Sequence, residues 1–372
     1  LTYLRTRCRR AAIPSIVAGH TPARRHAAGP LAMANIDSER HLSTSTQRKP
    51  NGRLKRAFSR FVLPGSPSAS SVPFFEYLKW FRFTRFTPDY PYSIDIQTRS
   101  GCNAHCSFCP VGKEENKISG SMDDGLFRQI IDEVMTFPSL YQINPYLLND
   151  PLVDRDLPER LEYIAKKRGT RRSPKVRIIT NAGLLTEEMG YRLLQADALD
   201  EINLSFHSIQ PEVYEQMMSP LKFDRVMGNI LRFKELLDNH KGKRPRLEVW
   251  TVLTKPVSAN IQSEKAYWKK VGIGFKARKL DNRANENIEA LDLGEEVFER
   301  TPFCVVPFWR AWVMWNGDMI MCCVDQERTN LLGNCRDRSI RQVWQDSAYQ
   351  ELRQRWRTEQ LEGLICENCK GT

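Results

Sequence analysis

Three cysteines lie close together in the segment CNAHCSFC, at Cys102, Cys106 and Cys109. Three thiolates on one tight loop can bind three irons of a [4Fe–4S] cubane and leave the fourth iron without a protein ligand. Such an open iron can chelate the amino and carboxylate groups of a small molecule. A zinc site is the alternative, with His105 as fourth ligand, but the spacing of His105 within the loop is unfavourable for a zinc ligand. The spacing therefore favours a cluster with one open iron.

A second set of four cysteines lies near the C-terminus. Cys304 and Cys322 are separated by 17 residues, and Cys366 and Cys369 form a C-x2-C pair. An Asn–Gly turn ending at Gly317 lies between two apolar runs, which predicts a β-hairpin just before Cys322. A hairpin with a C-x2-C pair fits a four-cysteine zinc ribbon, and four cysteines also fit a second iron–sulfur cluster.

Cys323 and Cys335 remain when both sets are assigned. A buried cysteine outside a metal site usually acts as a small apolar side chain. Cys323 is the substitute ligand if Cys322 is not one. Either spare thiol is also a candidate to donate a hydrogen atom to a substrate.

Short β-branched segments alternate with helical patterns between residues 92 and 280. The predicted strands are 92–98, 142–148, 175–180, 201–206, 246–254 and 272–280, and the predicted helices are 122–135, 157–167, one from 186, one or two over 211–237, and 259–270. Six such units predict an α/β fold with a parallel sheet and helices outside it. The first cysteine set directly follows the first strand, at the end where parallel strands carry functional groups.

The pattern changes after residue 280 and predicts a small second domain. It would contain the hairpin, a turn at Gly333–Asn334, one amphipathic helix over 339–357 and the terminal C-x2-C pair.

The net charge of +12 is unevenly distributed. Residues 1–85 hold 16 Lys and Arg against three acidic residues, so the remainder is nearly neutral and nucleic-acid binding is not expected. Residues 1–71 are rich in Arg, Ser, Pro and Ala and are predicted to be a disordered leader, although their composition also fits an organelle transit peptide. With no apolar signal core and no apolar run long enough to span a membrane, a cytoplasmic location is expected.

The CxxxCxxC motif, with Phe108 before its last cysteine and at the end of the first of six βα units, resembles the radical S-adenosylmethionine (radical SAM) superfamily. The resemblance implies a partial (β/α)6 TIM-like barrel over 92–285. It also implies that Cys102, Cys106 and Cys109 hold a [4Fe–4S] cluster that binds SAM, with Phe108 shielding one face of the cluster.

Three further segments resemble elements of that superfamily that contact SAM. LLNDPLVD (147–154) resembles the second-strand GEPL element, and ITNAGLL (179–185) resembles the TNG element that follows the third strand. INLSFHSIQPEVYEQMM (202–218) resembles the fourth-strand segment with polar contacts to the ribose. The cofactor-contacting residues implied are Asn149, Asp150, Thr180, Asn181, Ser205 and His207. Asp150 is one methylene shorter than the usual Glu.

The C-terminal cysteines resemble the twitch subdomain, the shortened form of the SPASM extension, which implies one auxiliary [4Fe–4S] cluster held by Cys304, Cys322, Cys366 and Cys369 within 286–372. KLDNRANEN (279–287) resembles an NRAG element that often precedes such extensions. Its Arg283 would either clamp a substrate hydroxyl or carboxylate or join the two domains.

The resemblance implies a radical SAM oxidoreductase that abstracts hydrogen from a substrate C–H bond. An alcohol-to-ketone oxidation of a sugar or cyclitol is the expected reaction, because one auxiliary cluster can accept the second electron. Epimerisation and peptide modification are the alternative reactions, and a zinc-stabilised interaction protein is the alternative of another class. The expected partners are a small-molecule or peptide substrate and an external electron donor such as flavodoxin or ferredoxin.

Overall fold

The computed structural model describes residues 81–82, 84–112, 120–171, 173–280, 284 and 304–369. Every described residue belongs to one compact unit, Ser59–Thr372. The predicted leader over 1–71, residues 72–80 of the amphipathic lead-in helix that the sequence predicts within 72–91, and Arg283 lie outside the described residues.

Nine strands of the described chain form one sheet. They are β1 (Ser93–Ile96), β2 (Gln142–Asn144), β3 (Lys175–Thr180), β4 (Glu201–Ser205), β5 (Arg246–Leu253), β6 (Gly274–Lys279), β7 (Arg310–Val313), β8 (Asp318–Ile320) and β9 (Leu331–Asn334). The spatial order is β6-β5-β4-β3-β2-β1-β7-β8-β9. The first six strands are parallel, as predicted, and helices connect them, so the partial-barrel α/β fold is confirmed.

Helices follow the strands. They are α1 (Asp124–Val134), α2 (Leu157–Arg168), α3 (Glu187–Gln195), α4 (Pro211–Met217), α5 (Phe223–Asn239), α6 (Lys255–Ser258), α7 (Ile261–Val271), α8 (Val306–Trp309), α9 (Ile340–Trp344) and α10 (Ser347–Arg357). Short polar residues begin several of them: the side chains of Asp123 and Thr186 accept the backbone N–H groups of Leu126 and Met189. Such caps satisfy donors that have no partner within the helix.

The strands bury one set of alternate residues under the helices and turn the other set inward. Ile94, Ile202 and Val249 are fully buried in the hydrophobic core. Because side chains alternate along a strand, Asp95 and Asn203, which are adjacent to these positions, face the interior of the barrel. The inner face is therefore polar, and it ends at the carboxyl edge of the sheet.

The C-terminal strands extend the same sheet. β7 pairs in parallel with β1, β8 pairs antiparallel with β7 in the hairpin predicted at Gly317, and β9 pairs antiparallel with β8. The turn predicted at Gly333–Asn334 is wrong, because both residues lie in β9, where they pair with β8. Gly333 has a φ of 148°, and a Cβ at this position would lie 2.7 Å from Val343 Cγ1, so α9 can approach β9 closely.

The single helix predicted over 339–357 is also wrong. The structure has two helices, because Gln345 ends α9 and Asp346 adopts an extended conformation that begins α10. The Asp346 carboxylate accepts the backbone N–H of Ser347. The preference of Asp for the N-cap position therefore starts a new helix at this point, although the apolar pattern continues through it.

None of the helices in the described part of the chain is long and apolar enough to cross a membrane.

Candidate active site

The loop that carries Cys102, Cys106 and Cys109 lies over the carboxyl edge of the sheet and is held from both sides. On one side Gly101, with a φ of 97°, forms a bridge with Asn149, and its carbonyl accepts the N–H of Asp150 at 3.2 Å. On the other side the N–H groups of His105 and Ser107 donate to the carbonyls of Ser219 and Met217 at 2.5 and 3.0 Å. The ends of β2 and α4 therefore fix the loop.

The three thiols of this loop interact with one another. Burial, the nearby carboxylate of Asp150 and the thiol of Cys109 together raise the pKa of Cys102 to about 12. Burial also raises the pKa of Cys106 well above its ordinary value, with Cys109 and Cys102 adding to the effect. Three close, sheltered thiols resist ionisation until a metal displaces their protons.

These thiols fit the open-iron cluster predicted from the sequence, because three is the number of protein ligands that such a cluster needs. Among the described residues, no group of three or more His, Cys, Asp and Glu side chains is arranged to hold a metal ion. The number of the thiols, their burial and their mutual interaction are the properties that fit them to the cluster.

Asp150 joins the loops that follow β2 and β3. Its carboxylate accepts the hydroxyl of Thr180 at 2.9 Å, the N–H of Asn181 at 2.7 Å and the N–H of Leu152 at 2.9 Å. The carboxylate is buried, and burial raises its pKa. The Asp150 residue predicted to contact SAM is thus already bound to the third-strand element, and any contact with the cofactor would add to this network.

Asn181 continues the network to the cysteine loop. Its Nδ2 lies 3.6 Å from Cys102 Sγ and 2.8 Å from Asn103 Oδ1. Its Oδ1 accepts the N–H of Gly183. A Cβ at Gly183 would lie 2.6 Å from Asn103 Nδ2, so glycine is required for this contact. Asn103 and Gly183 were not predicted as site residues, although both lie inside the motifs that were recognised.

Phe108 and His207 pack against each other below the cysteine loop. Their ring centroids are 4.8 Å apart and the rings are nearly perpendicular, at 88°. His207 Nδ1 accepts the backbone N–H of Val252 at 3.1 Å, so the ring proton of the neutral imidazole lies on Nε2. Burial lowers the pKa of His207 to about 3. Ser205, two residues earlier at the end of β4, is half-buried.

The predicted auxiliary cysteines also gather in the structure. Burial and the thiols of Cys366, Cys369 and Cys323 together raise the pKa of Cys304 to about 12. A hydrogen bond with Cys323 and burial raise the pKa of Cys322. The structure therefore brings together the four predicted ligands and a fifth thiol. Four clustered thiols, of which Cys322 and Cys366 are buried and Cys304 and Cys369 half-buried, fit a cluster with complete cysteine ligation.

The two spare cysteines lie in different surroundings. Cys323 packs against a small apolar cluster of buried residues, namely Leu147, Trp312, Met314 and Ile320. Cys335 is buried at the far end of β9, where its carbonyl accepts the Gln129 side chain, and burial and the carboxylates of Glu133 and Asp318 raise its pKa. Of the two, Cys323 is the one beside the auxiliary thiols.

The loop 147–150, which follows β2, contacts the surroundings of both cysteine sets. Leu147 and Leu148 belong to the apolar cluster against which Cys323 packs. The next two residues, Asn149 and Asp150, hold Gly101 at the start of the first cysteine loop. The segment 147–150 therefore contacts the surroundings of each thiol set.

Two family models match the chain. The model of the radical SAM superfamily matches residues 96–243, and the model of the SPASM iron-sulfur cluster-binding domain matches residues 304–370. Each match covers one of the two cysteine sets.

One curated relative spans most of the chain. The S-adenosyl-L-methionine-dependent 2-deoxy-scyllo-inosamine dehydrogenase of Niallia circulans is 20% identical over 282 residues, which are 74% of this chain and 91% of that protein.

Two solved structures share the fold at low identity. BtrN in complex with AdoMet and 2-DOIA has a TM-score of 0.51 and 17% identity, over 76% of this chain and 93% of BtrN. Streptococcus suis SuiB bound to the precursor peptide SuiA has a TM-score of 0.57 and 16% identity, over 81% of this chain and 77% of SuiB.

Proposed function

The chain belongs to the radical SAM superfamily and carries a C-terminal SPASM domain, and from this premise we propose that it oxidises an alcohol carbon of a sugar- or cyclitol-type small molecule by two electrons. The two domains imply three cofactors: a SAM-binding [4Fe–4S] cluster, SAM itself and an auxiliary [4Fe–4S] cluster. When bound, these groups supply a 5′-deoxyadenosyl radical that takes a hydrogen atom from carbon and an acceptor for the second electron.

Cys102, Cys106 and Cys109 would hold the first cluster, and Cys304, Cys322, Cys366 and Cys369 would hold the second. The observation that carries the proposal is the segment 147–150, which contacts the surroundings of both sets. A substrate at the carboxyl edge of the barrel would then lie between a hydrogen-atom acceptor and an electron acceptor, as a two-electron oxidation requires. The 20% identity to the dehydrogenase supports this choice over epimerisation.

The chain's own residues position and shelter the reacting groups. Asn181 and Asp150 connect the loops after β1, β2 and β3, so hydrogen bonds join the cysteine loop to the predicted SAM-contacting segments. Phe108 and the neutral His207 pack together beside the loop, and this packing would keep water from a carbon radical. An external one-electron donor of the flavodoxin or ferredoxin type would reduce the first cluster.

The proposal is tested on the full chain after anaerobic reconstitution with iron and sulfide. We expect about eight irons per chain and formation of 5′-deoxyadenosine from SAM and dithionite. With a panel of sugars, cyclitols and peptides, we expect one sugar or cyclitol to give a product lighter by two mass units. Zinc without iron would exclude the enzyme, and solvent deuterium in a product of unchanged mass would indicate epimerisation instead.

Replacing Cys106 by Ala distinguishes the contributions of the two clusters in the same assay. We expect 5′-deoxyadenosine formation to disappear while about four irons remain in the auxiliary set. Formation retained by this variant would refute the role of the first set. A Cys335→Ala variant is the matched control, because this thiol is buried elsewhere, and it is expected to keep about eight irons.

A further inference from the structure

The segment that leads into helix α1 is tied to the end of β1, just before the first cysteine loop. The backbone N–H of Met122 donates to the carbonyl of Thr98 at 2.8 Å, and that of Ser100 donates to the carbonyl of Gly120 at 2.9 Å. The N–H of Gly120 donates to the Ser100 hydroxyl oxygen at 2.7 Å. Cys102 follows Ser100 by two residues. The beginning of α1 is therefore joined to the base of the first cysteine loop.

A polar face of the same helix contacts the SPASM domain. The carboxylate of Glu133, in the last turn of α1, accepts the backbone N–H groups of Ile340 and Arg341, each at 2.9 Å. One turn earlier, Gln129 Nε2 donates to the carbonyl of Cys335 at 3.1 Å. Residues four apart lie on the same face of a helix. One face of α1 therefore contacts both α9 and the residue that follows β9.

Glu133 completes the N-terminal cap of α9. The Ser339 hydroxyl accepts the N–H of Gln342, and Glu133 accepts the two helical N–H groups that precede it. These first N–H groups have no partner within a helix. Because α9 has only five residues, it depends on such caps and on packing for its stability. The stability of α9 therefore depends on its position against the barrel.

Helix α9 is in turn connected to the auxiliary cysteines. Trp344, the last residue of α9, is fully buried, and its carbonyl accepts a hydrogen bond from Arg353 at 2.7 Å. Arg353 also donates to the carbonyl of Pro307 at 3.1 Å, and Pro307 lies three residues after Cys304. Hydrogen bonds therefore lead from Glu133 through α9 to the segment that carries an auxiliary thiol.

The other connections between the barrel and this part of the SPASM domain are weaker. Asp123 and Arg336 form an ion pair at 2.5 Å, but both side chains are about half exposed, and such pairs contribute little. The sheet reaches β9 only across β8, and the pairing of β8 with β9 has a register shift between Met319 and Ile320. The half-buried carboxylate of Glu133 is therefore the main polar contact that holds α9 against the barrel.

We propose that Glu133 is a positioning residue that holds the auxiliary site at a fixed distance from the first cysteine loop. This rests on the proposed function, because a two-electron oxidation requires that an electron pass from the substrate radical to the auxiliary cluster. Electron transfer between two centres slows as their separation grows. A fixed position of the SPASM domain would therefore keep the second oxidation step in pace with hydrogen abstraction.

The first measurement is the distance distribution between the two reduced clusters, obtained by pulsed EPR on the full chain after anaerobic reconstitution and reduction with dithionite. We expect one narrow distribution in the wild type and a broader one in Glu133→Ala, at the same content of about eight irons. Glu133→Gln keeps one oxygen acceptor and should lie between the two. Asp132→Ala is the matched control, because this neighbouring carboxylate contacts Lys167 and Tyr163 within the barrel and should leave the distribution unchanged.

The second measurement is hydrogen–deuterium exchange of the segment 339–344 in the same reconstituted chains, followed by mass spectrometry. We expect exchange to be about ten-fold faster or more in Glu133→Ala, because two N–H groups lose a charged acceptor. Faster exchange with an unchanged distance distribution would show that Glu133 only caps α9 and would overturn the proposal. Unchanged exchange would overturn it as well, because the contact would then not stabilise α9.

Failure of the proposed function gives a different result. A wild-type chain that binds fewer than about eight irons, or forms no 5′-deoxyadenosine from SAM and dithionite, would count against the proposed function. The exchange measurement requires no cluster and no substrate, so it tests the contact of Glu133 with α9 in either case.

Discussion

The side-chain amide of Asn181 lies 3.6 Å from the sulfur of Cys102, although 79 residues separate the two in sequence. The same amide donates to Asn103 Oδ1 at 2.8 Å, and the backbone N–H of Asn181 donates to Asp150. The third-strand element is therefore in direct contact with a predicted ligand of the first cluster. Hydrogen bonds to ligand sulfurs are among the factors that set the reduction potential of iron–sulfur clusters.

Replacing Asn181 by Leu should make the first cluster harder to reduce. Loss of a donor to the thiolate sulfur destabilises the more negative, reduced state, and we expect the midpoint potential to fall by roughly 60 mV, the equivalent of about 1.4 kcal/mol for one electron. Potentiometric EPR titration measures the shift. Asn103→Ala is the control, because it removes the other partner of the amide and leaves the contact with sulfur. An unchanged potential in the Leu variant would show that this contact does not tune the cluster.

Replacing Asp150 by Asn should destabilise the whole fold. The carboxylate accepts two backbone N–H groups and one hydroxyl in a buried position. An amide nitrogen in place of one oxygen would face these donors, and we expect a loss of about 2 to 3 kcal/mol of unfolding free energy. Urea unfolding of the metal-free chain measures it. Thr180→Val removes only the hydroxyl and should cost about 1 kcal/mol, so an equal loss for both variants would contradict the central role of Asp150.

His207 should make the fold sensitive to mild acid. Its pKa is about 3 in the folded chain because of burial, whereas an exposed histidine has a pKa near 6.5. Below pH 6.5 the unfolded chain binds a proton that the folded chain does not, so the stability present above pH 6.5 is lost as pH falls towards 3. At pH 5.5 the loss from this residue should be about 1.4 kcal/mol.

His207→Asn keeps an acceptor for the N–H of Val252 and removes the titration. We therefore expect the unfolding free energy of this variant to change less between pH 7.5 and 5.5 than that of the wild type. Identical pH profiles would mean that the imidazole is hydrated in solution and has an ordinary pKa.

Arg353 should be required for retention of the auxiliary cluster. This arginine is fully buried, and its guanidinium donates to the carbonyls of Pro307 and Trp344 at 3.1 and 2.7 Å. It thereby joins α10 to α9 and to α8, the short helix that follows Cys304. Arg353→Met leaves both carbonyls without a donor, which should cost about 2 to 5 kcal/mol.

We expect this variant to retain about four irons per chain and still form 5′-deoxyadenosine, because the hydrogen bonds of Arg353 do not involve the first cysteine loop. Arg341→Met, at an exposed position of α9, is the control and should keep about eight irons. Full iron retention by the Arg353 variant would show that α10 does not hold the auxiliary site together.

The adjacent pair Cys322 and Cys323 can be assigned by single replacements. The 17-residue spacing from Cys304 predicts Cys322 as the ligand, and the structure places Cys323 against the apolar cluster that includes Leu147. We therefore expect Cys322→Ala to lose about four irons and Cys323→Ala to keep them. Iron analysis after identical reconstitution measures both, and the reverse result would assign Cys323 as the ligand.

Much of the fold could be predicted from local patterns. All six predicted barrel strands appear, and the Gly317 turn forms the predicted hairpin, because period-two alternation and a glycine turn are local properties. The two errors, at Gly333–Asn334 and in the helix over 339–357, both arose in the C-terminal region. There the contact of Val343 with Gly333 and the cap at Asp346 decide the structure, and neither is visible in a hydrophobic pattern.

The sequence by itself determined the chemistry of this protein, because the number and spacing of Cys102, Cys106 and Cys109 are covalent facts that limit which metal group can bind. It also determined the order of the βα units that carry them. Only the tertiary structure decided that Asn181 touches Cys102, that segment 147–150 contacts the surroundings of both thiol sets, and that Arg177, Lys276 and Arg278 meet at Trp250. These relationships depend on strand register and on side chains from separate strands, and register is set by packing across the sheet rather than by any local run of residues.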